Sequence, residues 1–166
     1  MKRVPVILQM TPHECGAASL AMVLSFYGRE TTVSESRRYL RSGRDGLSAR
    51  AIAEAGRELG LHVRAFSMEP EGLEQVKLPA IVHWNFDHFM VVESWSPKAV
   101  TVVDPAVGRR RLTQEEFSAG FTGVVLVMEP DKGFRPKRAT DRLTWRQFLQ
   151  RILQTPGTVG FMGQVL

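Results

Sequence analysis

The sequence predicts an α+β domain whose N-terminal helical part packs on an antiparallel β-sheet. Two observations carry this. Up to Gly60 the apolar residues recur at helical spacing, and after Gly60 they recur every second residue or in short runs bounded by Gly, Pro and Ser. A third bears on chemistry: the single cysteine, Cys15, opens the most apolar of the helical stretches.

The first helix is expected over "CGAASLAMVLSFY", Cys15 to about Tyr27, apolar on most faces and therefore buried, with Gly28 as its stop. "TPHE" supplies its start: Thr11 as N-cap, Pro12 at the first helical position, and Glu14 three residues on to close a capping box. A second helix is expected over Ser34 to about Arg41. A third spans Ser48 to Leu59, where Ile52, Ala53, Ala55 and Leu59 fall on one face. "LHVRAFSM", "PAIVHW", "HFMVVES", "AVTVVD", "RRRL" and "GVVLVME" read as strands, and "TQEEFSA" (113–119) as a short capped helix between the last two. "EPDKGFRPKRATD" then reads as a linker. The chain accordingly divides into a domain over 1–131 and a basic linker with a lead-in helix over 132–166.

Composition narrows the class. At 166 residues and 43% hydrophobic, the chain is long enough for one domain with a real core. One cysteine leaves no internal disulfide and no multi-cysteine zinc site, so the thiol is free and a reducing compartment fits. No run of about 18 apolar residues is present, and the N-terminus is too short and polar for a signal peptide, so a soluble cytosolic piece is expected. The net charge of +5 is unevenly placed. Residues 1–131 hold 15 Lys and Arg against 16 Asp and Glu, a sum of −1, while 132–166 hold 7 against 1, a sum of +6. A basic tail with "LTWRQFLQRIL" suits an anionic membrane surface or the approach to a membrane domain, or equally a solvated helix; it is no nucleic-acid footprint of the domain itself.

A thiol in the first turn of a helix is favoured as its anion, because unpaired N–H groups and the macrodipole stabilise negative charge there. Helix position alone leaves Cys15 open between a packed thiol and a nucleophile; a base and an orienting group must decide. Of four histidines, His13 lies on the same turn as Cys15 but points elsewhere. His62 reads as a half-exposed strand residue, and His83 precedes a turn. His88 begins a strand that continues apolar. If Trp95 to Pro97 form a three-residue loop, paired positions in the following hairpin sum to 192, which sets His88 directly opposite Asp104. Directly opposed residues have Cβ atoms about 4.5–5.5 Å apart, which suits a carboxylate holding an imidazole in one tautomer. Asp104 before Pro105 also suits an Asx turn, and Asp87 reads as a turn residue. Gln9, six residues before Cys15, is placed to offer an amide to an oxyanion, with the Cys15 backbone N–H as second donor.

In that order, Gln9, Cys15, His88 and Asp104 resemble the papain-like cysteine peptidases. "QMTPHECGAASLAMVL", "GLSARAIAEAGRELGL", "PAIVHW" with "HFMVV", and "VVDPAVG" together resemble one branch over about residues 5–130: the N-terminal peptidase domain of bacteriocin-processing ABC exporters, family 39 of the cysteine peptidases. The resemblance implies a papain-like fold that cuts a leader peptide after a double-glycine-type motif, with an amphipathic leader helix laid in an apolar groove. It implies Cys15 as nucleophile, His88 as general base and acid, Asp104 as orienting residue and Gln9 as oxyanion donor. The family often has Asp just before the nucleophile, where this chain has Glu14. No metal or cofactor is expected for the peptidase; ATP and Mg would belong to an absent nucleotide-binding domain. The expected partners are the precursor peptide and the transmembrane and nucleotide-binding domains of a homodimeric exporter, at the cytoplasmic side of the membrane. Two other readings use the same residues: a silent cargo-binding module of an exporter, and a Cys-His-Asp acyltransferase or amidase.

Overall fold

A computed structural model describes residues 2–40 and 48–138. The described elements fall in one compact unit, Met1–Pro136. The expected lead-in helix beyond residue 138 lies outside the described residues.

Three helices come first: α1 (Cys15–Phe26), preceded by a 3-10 turn Pro12–Glu14, then α2 (Val33–Tyr39) and α3 (Ala49–Glu58). Strands β1 (Leu61–Ser67), β2 (Ala80–Trp84), β3 (His88–Ser96), β4 (Ala99–Asp104), β5 (Gly108–Leu112) and β6 (Phe121–Pro130) follow, with α4 (Gln114–Gly120) before the last. The turn Pro70–Gln75 is the one 3-10 element that the sequence pattern does not announce. Side-chain oxygens of Thr32, Ser48 and Thr113 cap α2, α3 and α4.

All the described strands pair antiparallel in the order β1-β6-β2-β3-β4-β5, so the last strand is inserted between β1 and β2, second from one edge of the sheet. Both faces of the central strands are covered. Ile81, Phe89, Val91, Val103, Leu126 and Met128 join Leu20, Val23 and Leu24 of α1 in one core, and their neighbours Ala80, Val82, Met90, Val92, Val102, Val125 and Val127 join Leu73 and Phe117 in another. Burial on both sides explains why these strands read as apolar runs rather than as clean alternation. The helix α1 is buried over Cys15–Leu24 on every side, which its apolar composition requires. Gly56 of α3 lets that helix lie close on β1: a Cβ there would stand 3.0 Å from Val63 Cγ2.

The compact unit continues past the expected end of the domain. Asp131 N–H donates to Gly60 O at 3.0 Å, Phe134 N–H donates to Asp131 O at 2.9 Å, and Phe134 packs on the helical core.

Candidate active site

Glu14 and its neighbours set the start of α1. The Glu14 carboxylate accepts from the Thr11 N–H at 3.1 Å, and the 3-10 turn delivers Cys15 as the first residue of the α-helix. One turn on, the buried Ser19 hydroxyl donates to Phe89 O at 3.2 Å. Ser19 shares a helix face with Cys15, and Phe89 follows His88, so this bond sets the Cys15 turn against the start of β3.

His88 begins β3 and Asp104 ends β4, both at the same end of the sheet. His88 Nε2 lies 2.8 Å from Asp104 Oδ1, and the Cys15 side chain is near enough to the ring to bear on its pKa. With Nε2 engaged by the carboxylate, Nδ1 is the nitrogen left for the thiol. The hydrogen bond to Asp104, followed by the interaction with Cys15, raises the imidazole pKa to about 9 against the opposing effect of burial. Burial pushes the Asp104 carboxyl up, but the hydrogen bonds from His88 and the Ala106 N–H and the charges of His88 and Arg110 outweigh it, leaving the group below the ordinary carboxylate value. Cys15 is 4% exposed.

The register that brings His88 to Asp104 differs from the expected one. Trp95 and Ser96 belong to β3, so the hairpin loop is Pro97–Lys98, with Ser96 opposite Ala99. The register then shifts between Val92 and Ser94, where Glu93 is an extra residue on β3. Continued from the pair Val91 and Val103, it sets Asp104 opposite Met90 rather than His88. His88 therefore meets Asp104 on the diagonal, where Cβ separations of about 7–8 Å still suit an imidazole reaching a carboxylate. The Asx turn is also present: Asp104 Oδ1 accepts from the Ala106 N–H at 2.8 Å, so one oxygen serves the turn and the imidazole together.

Gln9 reaches the same end of the sheet on an extended N-terminal segment. Its N–H donates to Pro105 O at 2.9 Å, next to Asp104. Its side-chain Oε1 is buried with no hydrogen-bond partner among the described residues. Upstream, Val4 N–H donates to Glu93 Oε1 at 2.7 Å, and Arg109 bonds both Glu93 carboxylate oxygens and Val4 O. Glu93 and Arg109 thus anchor the segment that carries Gln9. Sequence reasoning missed both; the only sign is one acidic residue inside the apolar run "HFMVVES".

The remaining histidines stand apart from this centre. His13 and His62 are exposed. His83 Nδ1 lies 3.1 Å from Thr122 Oγ1, its ring packs on Phe89, and burial lowers its pKa. Asp87 is exposed in the β2–β3 turn. Among the described residues no group of three or more His, Cys, Asp or Glu is placed to hold a metal ion.

Fold and geometry together define a class, a cysteine peptidase that divides its polar apparatus between a buried helix and one end of an antiparallel sheet. Comparison gives the family: its model matches residues 3–133, and the chain belongs to the Peptidase C39 family. The chain is 36% identical over 151 residues to the probable microcin-H47 secretion/processing ATP-binding protein MchF of Escherichia coli, a match covering 91% of this chain and 22% of that protein. It is 35% identical to the colicin V secretion/processing ATP-binding protein CvaB of the same organism, with the same coverage. The chain thus spans about a fifth of the length of these curated relatives. Among solved structures, a double glycine motif protease from an AMS/PCAT transporter, in complex with its leader peptide, superposes with a TM-score of 0.73 at 41% identity, over 78% of this chain and 93% of that one. The peptidase domain of Streptococcus ComA, a bi-functional ABC transporter, gives 0.71 at 25% identity, over 79% and 100%. Among the described residues no helix is long and apolar enough to cross a membrane.

Proposed function

We propose that this domain removes the leader from bacteriocin- or lanthipeptide-type precursors after a Gly-Gly or Gly-Ala motif. In the full-length protein the cut would be coupled to export by a fused, homodimeric ABC transporter, with this domain on the cytoplasmic side. The observation that carries the reading is the hydrogen-bonded pair His88 and Asp104 beside Cys15, in a chain 41% identical to a double glycine motif protease.

The chemistry follows from the residue types. His88, raised to about 9, already holds the proton given up by Cys15, and the sulfur attacks the carbonyl carbon of the last leader residue. The carbonyl oxygen becomes an oxyanion, held by the Gln9 amide and the Cys15 N–H. His88, protonated and fixed by Asp104, gives its proton to the leaving amine, and a water activated by the neutral ring hydrolyses the thioester. These steps call for no cofactor or metal; ATP and Mg would serve only the nucleotide-binding domain of the exporter.

Mass spectrometry of candidate precursor peptides incubated with the domain tests the reading. The wild type should release a leader ending in Gly-Gly or Gly-Ala, and Cys15→Ala should leave the precursor whole. Release by Cys15→Ala, or cleavage elsewhere by the wild type, would refute it.

A further inference from the structure

The capping role of Glu14 accounts for one of its three hydrogen bonds. Its side chain is only 9% exposed. Oε2 accepts from the Thr11 N–H at 3.1 Å and also from the Met10 N–H at 2.9 Å, while Oε1 accepts from Arg37 Nη1 of α2 at 2.9 Å. A capping box needs the Thr11 bond alone. The Met10 bond grips the residue that follows Gln9, and the Arg37 bond ties the carboxylate to a different helix.

Gln9 is therefore fixed from both sides through its backbone. Before it, its own N–H is bonded to Pro105 O at 2.9 Å; after it, Met10 and Thr11 are bonded to Glu14, which is covalently joined to Cys15. With Oε1 unpartnered among the described residues, no bond at that atom holds the side-chain amide, and the backbone bonds on either side are what fix the point from which it extends.

We infer that Glu14, braced by Arg37, is a positioning residue for the oxyanion site, setting the Gln9 amide relative to the Cys15 sulfur. The inference rests on the peptidase reading above. Arg37 is 63% exposed and Glu14 nearly buried, so the brace runs from the surface of α2 to the residue beside the nucleophile. Loss of the carboxylate frees the Met10 and Thr11 peptide units and lets the Gln9 amide drift, while Cys15 and His88 stay tied by Ser19 to β3.

Two probes separate the oxyanion site from the thiol. Iodoacetamide is displaced at carbon by the sulfur: an S–C bond forms, the C–I bond breaks and iodide leaves, with no charge placed on an oxygen. N-acetyl-glycyl-glycinal adds to the sulfur at its aldehyde carbon; the C=O π pair moves to oxygen, which sits in the oxyanion site and takes its proton from His88. We expect Glu14→Ala to weaken aldehyde binding by about 10- to 100-fold, below the loss from removing an oxyanion donor outright, while the alkylation rate stays within about threefold. Arg37→Ala, an exposed change that keeps the fold, should show the same selectivity at about three- to tenfold, and Arg37→Lys should restore most of it. Glu14→Ala combined with Gln9→Ala should bind the aldehyde no worse than Gln9→Ala alone, as expected for groups acting on one site. Equal losses in alkylation and aldehyde binding, aldehyde binding unchanged in both single variants, or additive losses in the double variant would each overturn the inference. Both probes report without a natural precursor. A wild type that reacts with both but cuts no Gly-Gly peptide would remove the proposed substrate, and the Glu14 comparison would still decide whether the brace acts on the oxyanion site.

Discussion

Asp104→Asn removes a charge while keeping the shape of the site. Oδ1 of the aspartate accepts from both His88 and the Ala106 N–H, each at 2.8 Å, and an amide oxygen can keep both bonds. What is lost is the negative charge that favours the imidazolium. The Asp104 hydrogen bond is the largest cause that lifts His88 from 6.5 to about 9, a difference whose upper bound is about 3 kcal/mol. Because the His88 side chain is 18% exposed, solvent screening reduces this, and about 1–2 kcal/mol is expected for the Asp104 charge. That corresponds to a fall of roughly one pH unit or more in the imidazolium titration. The assay is the pH dependence of kcat/KM on a Gly-Gly peptide, with the His88 ring titration followed by NMR. The wild type should lose activity on the alkaline side near pH 9, and Asp104→Asn at distinctly lower pH with reduced turnover. An alkaline limb that does not move would refute the assignment of Asp104 as the group that holds His88 charged.

The same pair gives a stability prediction of fixed sign. A raised histidine pKa stabilises the fold fully below the unfolded value of 6.5, and that contribution is lost as pH rises through about 9. The lowered pKa of Asp104 contributes above its ordinary value of 3.8 and is lost as pH falls through the folded pKa. The wild type should therefore exceed Asp104→Asn in melting temperature most between about pH 4 and 6.5, with the gap closing toward pH 9. Two further predictions concern the supports of the site. Gly120 faces the Trp84 ring, and a Cβ there would overlap Trp84 Cε2 and Cζ2, while its carbonyl holds the Asn85 N–H at 2.8 Å in the turn before His88. Gly120→Ala should cost about 1–3 kcal/mol by denaturant melting; an unchanged midpoint would show that Trp84 moves freely aside. Arg109→Ala deprives Glu93 of two hydrogen bonds and Val4 O of one, at a cost of about 1–3 kcal/mol. Hydrogen exchange at the Gln9 amide, bonded to Pro105, should quicken along with lower turnover; unchanged exchange would show that the segment is held without the Arg109 clamp.

The helix and strand order was legible because each element carries its own period and its own punctuation. "TPHE" before Cys15, Ser48 before α3 and Thr113 before α4 mark helix starts through local hydrogen bonds, which a sequence displays directly. His88 and Asp104 were legible as a pair because a hairpin brings the start of one strand near the end of the next whatever the loop length. Their register was not. Whether Trp95 and Ser96 turn or pair is settled by Gln114, whose side chain bonds Ser96 O, and by Ser96 itself, which bonds Ala99 in both directions. Sheet order was equally hidden, since no local signal tells β6 to enter between β1 and β2. Nor does any pattern announce that Glu14 finds Arg37 or that Glu93 finds Val4, 23 and 89 residues away.

The Glu93 bulge joins these hidden features into one arrangement. An extra residue in β3 lets Glu93 stand outside the ladder, and its carboxylate takes the Val4 N–H and the Arg109 guanidinium. That fixes the extended segment that ends at Gln9. The same extra residue changes the sum of paired positions from 195 at Ser96 and Ala99 to 194 at Val91 and Val103, and so determines how far His88 lies beyond Asp104. Without the bulge the pair of Asp104 would be Val91, on the opposite face of the strand from His88. One irregularity in the sheet thus sets both the His88–Asp104 contact and the anchor of the segment that carries Gln9. Burial of the Glu93 carboxylate would raise its pKa, but the hydrogen bonds from Arg109 and Val4 and the charge of Arg109 leave it below the ordinary value, so the clamp favours the charged carboxylate.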